Sequence, residues 1–373
     1  MSRRTQTVDA AATSAPVAIV LPRIGIHTSS SGNRADALES ARKLGANSLQ
    51  IFSASPRMWG HSPRIAKADA ARFRELRVEL GHAPVVIHAN YLINLATPNS
   101  MMRAQSVQGF HAELVRALDL GADFLVLHPG SRLGEPLEPA LGALAEGLRQ
   151  AARGLKLNGL QILLENTAGQ GTCLGARFEE LAAVRQACPD LPLGICLDTA
   201  HLLAAGFDVR TADALENTLY EIERTVGLQS VRVVHVNDSK TPLGSRVDRH
   251  EHIGKGHIGL EAFARILMHP LLAGRAFILE TPIDRPGDDR KNVEALWKMA
   301  AREGMDVPKH EPGFTMFRGP ARGAAAKPSS RRKLPKPRPI KMDYKPKRTS
   351  PVARAAVAMA AGKRSAKRIA KAR

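Results

Sequence analysis

Eight short runs rich in β-branched and other apolar residues, separated by helical stretches, constrain this chain more than any other feature. They are Ile24–His27, Leu49–Phe52, Val85–His88, Phe124–His128, Ile162–Glu165, Gly194–Asp198, Val231–His235 and Phe277–Glu280. Between them lie stretches rich in Ala, Leu, Arg and Glu, such as Ala35–Leu44, Ala68–Leu80, Ser106–Leu120, Leu137–Leu157 and Phe178–Gln186. Continuous apolar strands alternating with helices mark a parallel sheet covered on its outer face. Eight such units predict a single (β/α)8 TIM barrel, an α/β fold. A doubly wound open sheet is the competing arrangement, but no GxGxxG follows the first strand.

What ends these strands points to chemistry. Strand three ends in His88, four in His128, five in Glu165, six in Asp198 with His201 just beyond, seven in His235 and eight in Glu280. A histidine ending one strand is ordinarily a hydrogen-bonded structural residue. Six consecutive strands ending in His, Asp or Glu call for a common cause, because in a barrel all of these positions meet at the C-terminal mouth. The segment after strand seven adds Asp248 and His250, which project to the same side of an extended chain.

The set thus holds five histidines and four carboxylates, with no cysteine among them. Imidazole with carboxylate suits zinc, manganese or iron. Nine donors are too many for one tetrahedral ion and enough for two or three sharing a carboxylate. Three divalent ions against four carboxylates leave a surplus of positive charge that attracts hydroxide or a phosphodiester. Ions about 3.5–4 Å apart can share a nucleophile and stabilise a leaving oxygen. The residues alone therefore point to a polynuclear metal hydrolase acting on a phosphate ester.

The motifs HANYLINLA (88–96), LVLHPGS (125–131), LLENTAGQG (163–171), CLDTAHLLAAGFD (196–208), VHVNDSK (234–240), DRHEHIGKGHIG (248–259) and LETP (279–282) resemble, in order, those of the endonuclease IV family of zinc-dependent apurinic/apyrimidinic endonucleases. The resemblance covers roughly residues 24–285. It implies three zinc ions, with manganese as an alternative at one site. His88, His128 and Glu165 would hold the first. Glu165 would bridge to the second, with Asp198, His235 and Glu280, and His201, Asp248 and His250 would hold the third. His27, His252 and His257 match no ligand position and are read as supporting or loop groups.

The implied reaction hydrolyses the phosphodiester 5′ to an abasic site in double-stranded DNA, with Glu165 orienting a hydroxide nucleophile. It leaves a 3′-hydroxyl and a 5′-deoxyribose phosphate, and trimming of blocked 3′ ends accompanies it in the family. Flipping a baseless sugar out of the stack leaves a gap to fill. Arg57, in SPRMW, and Tyr91 with Leu92 match the loop residues that do so, although an exposed Arg57–Trp59 pair is also ordinary surface. The chain departs from the family at Asn90, where proline is commoner, and this is expected to loosen the loop presenting Tyr91.

Charge separates the chain into parts. The net charge is +19, but residues 320–373 alone hold 18 Lys and Arg against one acid, Asp343, while the other 319 residues hold 36 basic and 34 acidic ones. The reading is a loose arm over 1–21, a barrel over 22–317 and a disordered tail over 318–373 that binds DNA through its phosphates; a nuclear localisation signal or a solubility tail would have similar composition. Three cysteines without a CxxC pair suit a reduced interior. No apolar run is long enough to span a membrane. A monomer in the bacterial cytoplasm, associated with the nucleoid, is expected, or a nuclear protein if the source is eukaryotic. A TIM-barrel sugar isomerase or epimerase with two metals, and a catalytically silent DNA-binding module, are the alternatives. The His201/Asp248/His250 set and the basic tail disfavour the first, and the intact donor set disfavours the second.

Overall fold

The computed structural model describes residues 22–30, 33–59 and 64–302; the expected arm over 1–21 and tail over 318–373 lie outside them. Eight strands close into a parallel barrel: β1 (Arg23–His27), β2 (Ser48–Phe52), β3 (Val85–His88), β4 (Phe124–Leu127), β5 (Gln161–Glu165), β6 (Leu193–Asp198), β7 (Val231–His235) and β10 (Ala276–Leu279). Neighbours follow chain order around the ring, with β10 closing between β7 and β1. Each predicted strand is present to within one residue at either end, and His128 and Glu280 stand just past the ends of β4 and β10.

Helices α1 (Arg34–Lys43), α2 (Lys67–Leu80), α3 (Ser100–Leu120), α4 (Leu137–Ala152) and α5 (Phe178–Ala187) lie in the predicted helical stretches, with α4 stopping five residues before the expected Leu157 because the chain turns through Gly154 at a positive φ of 77°. Helix α3 starts six residues earlier than the apolar spacing suggests, because the Asn99 side chain accepts from Met102 N and caps it. Helices α6 (Thr199–Ala205), α7 (Ala212–Thr225), α8 (Leu260–Met268) and α9 (Asp288–Arg302) complete the outer ring. After β7, strands β8 (Asp238–Ser239) and β9 (His250–Glu251) pair antiparallel as a small ribbon. No described helix is long and apolar enough to cross a membrane.

Two cores result. The larger fills the space between the strands' outer faces and the helices and includes Phe73, Phe110, Phe178, Phe263 and Phe277, all fully buried. The smaller lies inside the barrel: Val86, Val126, Leu163, Cys196, Val233, Ala276 and Ile278. Side chains alternate in and out along a strand. Two residues beyond Val86, Val126, Leu163, Cys196, Val233 and Ile278 come His88, His128, Glu165, Asp198, His235 and Glu280. The apolar layer is therefore the floor on which the polar layer stands.

Strand β1 contributes Gly25 to the same interior. A β-carbon there would lie 2.4 Å from Ile278 Cδ1 and 2.9 Å from Ser48 Cβ. Gly25→Ala is expected to cost about 1–3 kcal/mol through overpacking; urea unfolding of the variant checks this, and an unchanged midpoint would mean the barrel accommodates the methyl group.

Candidate metal centre at the barrel mouth

All nine donor residues converge at the C-terminal mouth. Glu165, Asp198 and His235 are completely buried, His88 and His201 nearly so, and His128, Asp248, His250 and Glu280 are half-buried. Glu165 sits at the centre. Its Oε2 lies 3.1 Å from His128 Nε2 and 3.4 Å from His88 Nε2, and its Oε1 lies 3.0 Å from His235 Nδ1 and 3.5 Å from His201 Nδ1. His235 Nδ1 is also 3.2 Å from Glu280 Oε2. His201 Nε2 faces Asp248 Oδ2 at 3.2 Å, and His250 Nε2 lies between Asp248 Oδ1 at 3.4 Å and Asp198 Oδ2 at 3.5 Å.

Three sets of donor atoms are close enough to share an ion: His88, His128 and Glu165; Glu165, Asp198, His235 and Glu280; and Asp198, His201 and His250. The first two coincide with the expected groups. The third brings Asp198 beside His201 and His250, with Asp248 against both rings from the loop.

The chain presets the rings. His88 Nδ1 donates to Ala89 O at 2.8 Å, His201 Nδ1 to Asn166 O at 2.9 Å and His250 Nδ1 to Glu280 O at 3.2 Å. Each of these turns Nε2 toward the cluster. His235 is oriented the other way, Nε2 donating to Gln50 Oε1 at 2.9 Å and Nδ1 facing the carboxylates. Glu165 Oε2, His201 Nε2 and His250 Nε2 are buried and face ion-pair partners at 3.1–3.5 Å without a well-aligned hydrogen bond. Buried polar atoms are rarely left so. Mixed imidazole and carboxylate donors close enough to share an ion fit divalent ions of the zinc or manganese type.

Electrostatics follow from this crowding. Burial pushes the Glu165 carboxyl up, but the imidazoles of His128 and His235 outweigh it and hold the group well below its usual range. Glu280 is likewise held well below its usual range, burial being overcome by His235, His27 and His88. Burial pushes His201 down, but Asp198, Asp248 and Glu165 raise it well above an ordinary histidine. The carboxylates are thus kept ionised in a place where an isolated one would not be.

Several residues that the strand-end pattern does not reveal hold this layer in place. Gln50, inside β2 and fully buried, reaches His27 Nδ1 at 2.9 Å, Glu280 Oε1 at 2.5 Å and His235. Asn237 Nδ2 donates to Asp198 Oδ2 at 2.6 Å while its Oδ1 accepts from Glu280 N at 2.8 Å. Asn166 brackets the Asp198 backbone, accepting from its amide at 2.7 Å and donating to its carbonyl at 3.2 Å. Asp198 also caps α6, accepting from His201 N at 2.7 Å, so two donor residues are fixed by one helix start. His27 lies beside Glu280, at 3.4 Å, as a supporting group. His252 turns away to Asp284 at 3.3 Å, and His257 is exposed.

Asp238 organises the loop that carries Asp248 and His250. It is completely buried, and its two oxygens accept from the amides of Ser239, Gly254, Gly256, Ile258 and Gly259 at 2.8–3.3 Å. Gly256 is required there because a β-carbon would lie 2.3 Å from Ser239 O. A carboxylate satisfied by five amides is a strong local constraint.

The expected DNA-contacting residues flank this mouth. Tyr91 is 53% exposed, and its ring lies 5.5 Å from that of His88 and 6.2 Å from that of His128, so it overhangs the first donor group. Burial and the Glu280 and Glu165 carboxylates raise its phenol well above the ordinary value, keeping it a hydrogen-bond donor. Leu92 is half-buried and Arg57 exposed, while Trp59 lies against α3, 3.1 Å from where a Gly109 β-carbon would stand. The expected loosening at Asn90 does not occur. Its Nδ2 donates to Ser55 O and Met58 O, both at 3.0 Å, and its Oδ1 accepts from Leu92 N at 2.8 Å. The side chain replaces a ring's rigidity with three hydrogen bonds.

Asp238→Asn turns one acceptor into a donor among five amides and is expected to destabilise the chain by about 2–3 kcal/mol. Denaturant unfolding with hydrogen exchange over 254–259 measures this, and wild-type protection there would remove the organising role.

Comparison with known proteins agrees with the geometry. A family model described as a xylose isomerase-like TIM barrel matches residues 38–332. The probable endonuclease 4 of Solibacter usitatus is 51% identical over 284 residues, covering 74% of this chain and 97% of that protein. The crystal structure of endonuclease IV from Thermus thermophilus is 41% identical, with a TM-score of 0.67 over 75% of this chain and 100% of that one. A D-tagatose 3-epimerase-like protein, 20% identical with a TM-score of 0.55 over 75% of this chain and 97% of that one, shares the fold alone. The ordered motifs, the strand-end donor layer and these relatives together mean that the chain belongs to the endonuclease IV family of DNA-repair nucleases.

Proposed function

We propose that this protein hydrolyses the phosphodiester 5′ to an abasic site in double-stranded DNA, leaving a 3′-hydroxyl and a 5′-deoxyribose phosphate, and that it also trims blocked 3′ ends. The observation that carries this reading is the convergence of nine imidazole and carboxylate donors at one barrel mouth, eight of them in three sets close enough to share an ion and Asp248 against the rings of His201 and His250. Three zinc ions are assigned: His88, His128 and Glu165 would hold one; Glu165, Asp198, His235 and Glu280 would hold a second; His201, Asp248 and His250 would hold a third. Manganese at one of them suits the same donors. Bound there, divalent ions supply Lewis acidity toward the phosphate and lower the pKa of the attacking water.

The chain's own residues do the rest. Glu165 is kept anionic by the surrounding imidazoles and orients the attacking water on the phosphorus. The water oxygen bonds to phosphorus as the bond to the 3′ oxygen breaks, and the departing oxygen ends as a hydroxyl. Tyr91 and Leu92 fill the gap left by the missing base, with Arg57 beside them. An isomerase has no use for a third donor group on a separate loop, which sets this reading apart from the epimerase-like fold neighbour.

Residues 22–317 are assigned to the catalytic barrel. The segment 318–373 is assigned, on its charge, to phosphate neutralisation. Truncation after Phe317 is expected to flatten the dependence of log affinity on log salt, with turnover at saturating substrate close to that of the full chain. A titration of binding against salt reads this out; an unchanged slope would remove the tail from the interface.

The central test is incision of a duplex carrying one tetrahydrofuran abasic analogue. This analogue resists β-elimination, so a 3′-hydroxyl product is hydrolytic. Wild-type protein is expected to cut and to stop when a zinc chelator is added. Glu165→Gln is expected to lose more than about a hundredfold in rate while binding the duplex. Normal turnover in that variant would sink the role given to Glu165, and no cleavage by metal-replete wild type would sink the endonuclease reading.

A further inference from the structure

The two loops that flank the mouth are joined in a way that neither the metal centre nor the barrel requires. The loop after β2 is anchored at its base by Ser53, whose carbonyl accepts from Arg34 Nη2 at 2.8 Å and whose hydroxyl accepts from Arg116 Nε at 2.6 Å. Farther along, residues 55–59 run largely exposed past Arg57 and Met58. Trp59, at its far end, lies against α3 near Gly109; the backbone on either side of Arg57 is fixed by the loop after β3. Asn90 Nδ2 donates both of its hydrogens to it, to Ser55 O and Met58 O at 3.0 Å each, and Tyr91 N donates to Pro56 O at 3.2 Å. These three bonds bracket Arg57 from both sides. The remaining polar atom, Asn90 Oδ1, accepts from Leu92 N at 2.8 Å and sets the turn that presents Tyr91 and Leu92. The amide's two hydrogens and its oxygen are all in use.

We propose that Asn90 is a positioning residue that joins the Arg57 loop and the Tyr91–Leu92 loop into one preassembled ridge, so that the cation, the aromatic ring and the apolar wedge meet damaged DNA in a fixed arrangement. The inference rests on the assignment of those three residues as the DNA-contacting set. Its physical basis is preorganisation: ordering two exposed loops on binding weakens affinity, and bonds that already hold them in the free protein avoid that loss. Proline at this position would restrain the backbone of one loop but has no side-chain donor with which to hold the other. The ridge of this chain is held from the side.

Asn90→Asp separates the two jobs of the side chain. The carboxylate keeps an acceptor for Leu92 N but sets an oxygen against the carbonyls of Ser55 and Met58. With the full-length, metal-loaded protein and the tetrahydrofuran duplex, the variant is expected to raise KM on the order of tenfold while kcat stays within about twofold. Amide exchange in the free variant is expected to be faster across 55–59 and at Tyr91. Wild-type KM and wild-type exchange would overturn the proposal and leave Asn90 a local turn former. A loss confined to kcat would also overturn it, by moving the effect to the metal centre. Asn90→Ala, which deletes the donors without adding charge, is read the same way should the aspartate variant fold poorly. If wild type neither binds nor cuts the duplex, the endonuclease reading fails, and the exchange experiment alone still decides whether Asn90 joins the loops.

Discussion

A fully buried carboxylate is the constraint on which the mouth of this barrel depends. Glu165 has no exposure to water, and an isolated charge in such a place is strongly disfavoured. It is tolerated because imidazoles from β3, the end of β4, α6 and β7 all reach it within 3.5 Å. Those elements come from four separate parts of the chain, so the carboxylate can be satisfied only when the barrel closes. The same crowding sets its Oε2 3.1 Å from His128 Nε2 and 3.4 Å from His88 Nε2 without a well-aligned hydrogen bond, and a cation held among these three groups would be shared by all of them. Closure of the barrel and assembly of the donor cluster are linked through one side chain.

The closed parallel sheet makes such a convergence possible by sorting residues into layers. Small and medium apolar side chains fill the interior floor, from Val86 to Ile278, and the next inward position on each strand lies at the rim. The epimerase-like neighbour shares this scaffold at 20% identity, so the scaffold does not choose the chemistry. Choice resides in what is added at the rim. Here the addition is the ribbon of β8 and β9 and the loop folded on Asp238, which bring Asp248 and His250 to rings that the barrel has already placed. A deeply buried carboxylate binding five amides does for this loop what hydrogen-bonded neighbours do for a strand: it removes alternative conformations.

Much of this is legible in the chain because the barrel imposes a short repeat. The eight strands and six strand-end donors follow from apolar runs interrupted at one recurring position, with no long-range information needed. The amides are not legible. Gln50 lies within an apolar run two residues before its end, where a polar side chain reads as an interruption, yet that inward position puts it in contact with His235 and Glu280. Asn166, Asn237 and Asp238 look like turn formers, and their partners lie at the ends of neighbouring strands 32–43 residues away or, for Asp238, up to 21 residues along the loop. Local pattern predicts which residues face inward; it does not predict which of them will find each other. The start of α3 escapes the pattern for a simpler reason: the Asn99 cap precedes a first turn containing exposed Met101 and Met102, and apolar spacing cannot register a turn with no buried face.

Asn90 shows how a substitution can be misread when only backbone stiffness is considered. Replacing a ring by a flexible amide suggests a looser loop, because proline restricts the unfolded chain. An amide, however, has two donors and an acceptor to place, and in this fold all three meet backbone groups of the adjoining segments. A proline ring would act on one loop, whereas these hydrogen bonds act between two. That distinction matters at a rim proposed to enter a nucleic acid. A stiff loop beside an independent one presents two contacts that must each be ordered, whereas two loops tied together present one surface. The rim therefore follows the logic of the metal centre beneath it, where donors from separate strands become a site only because something buried between them fixes their relation.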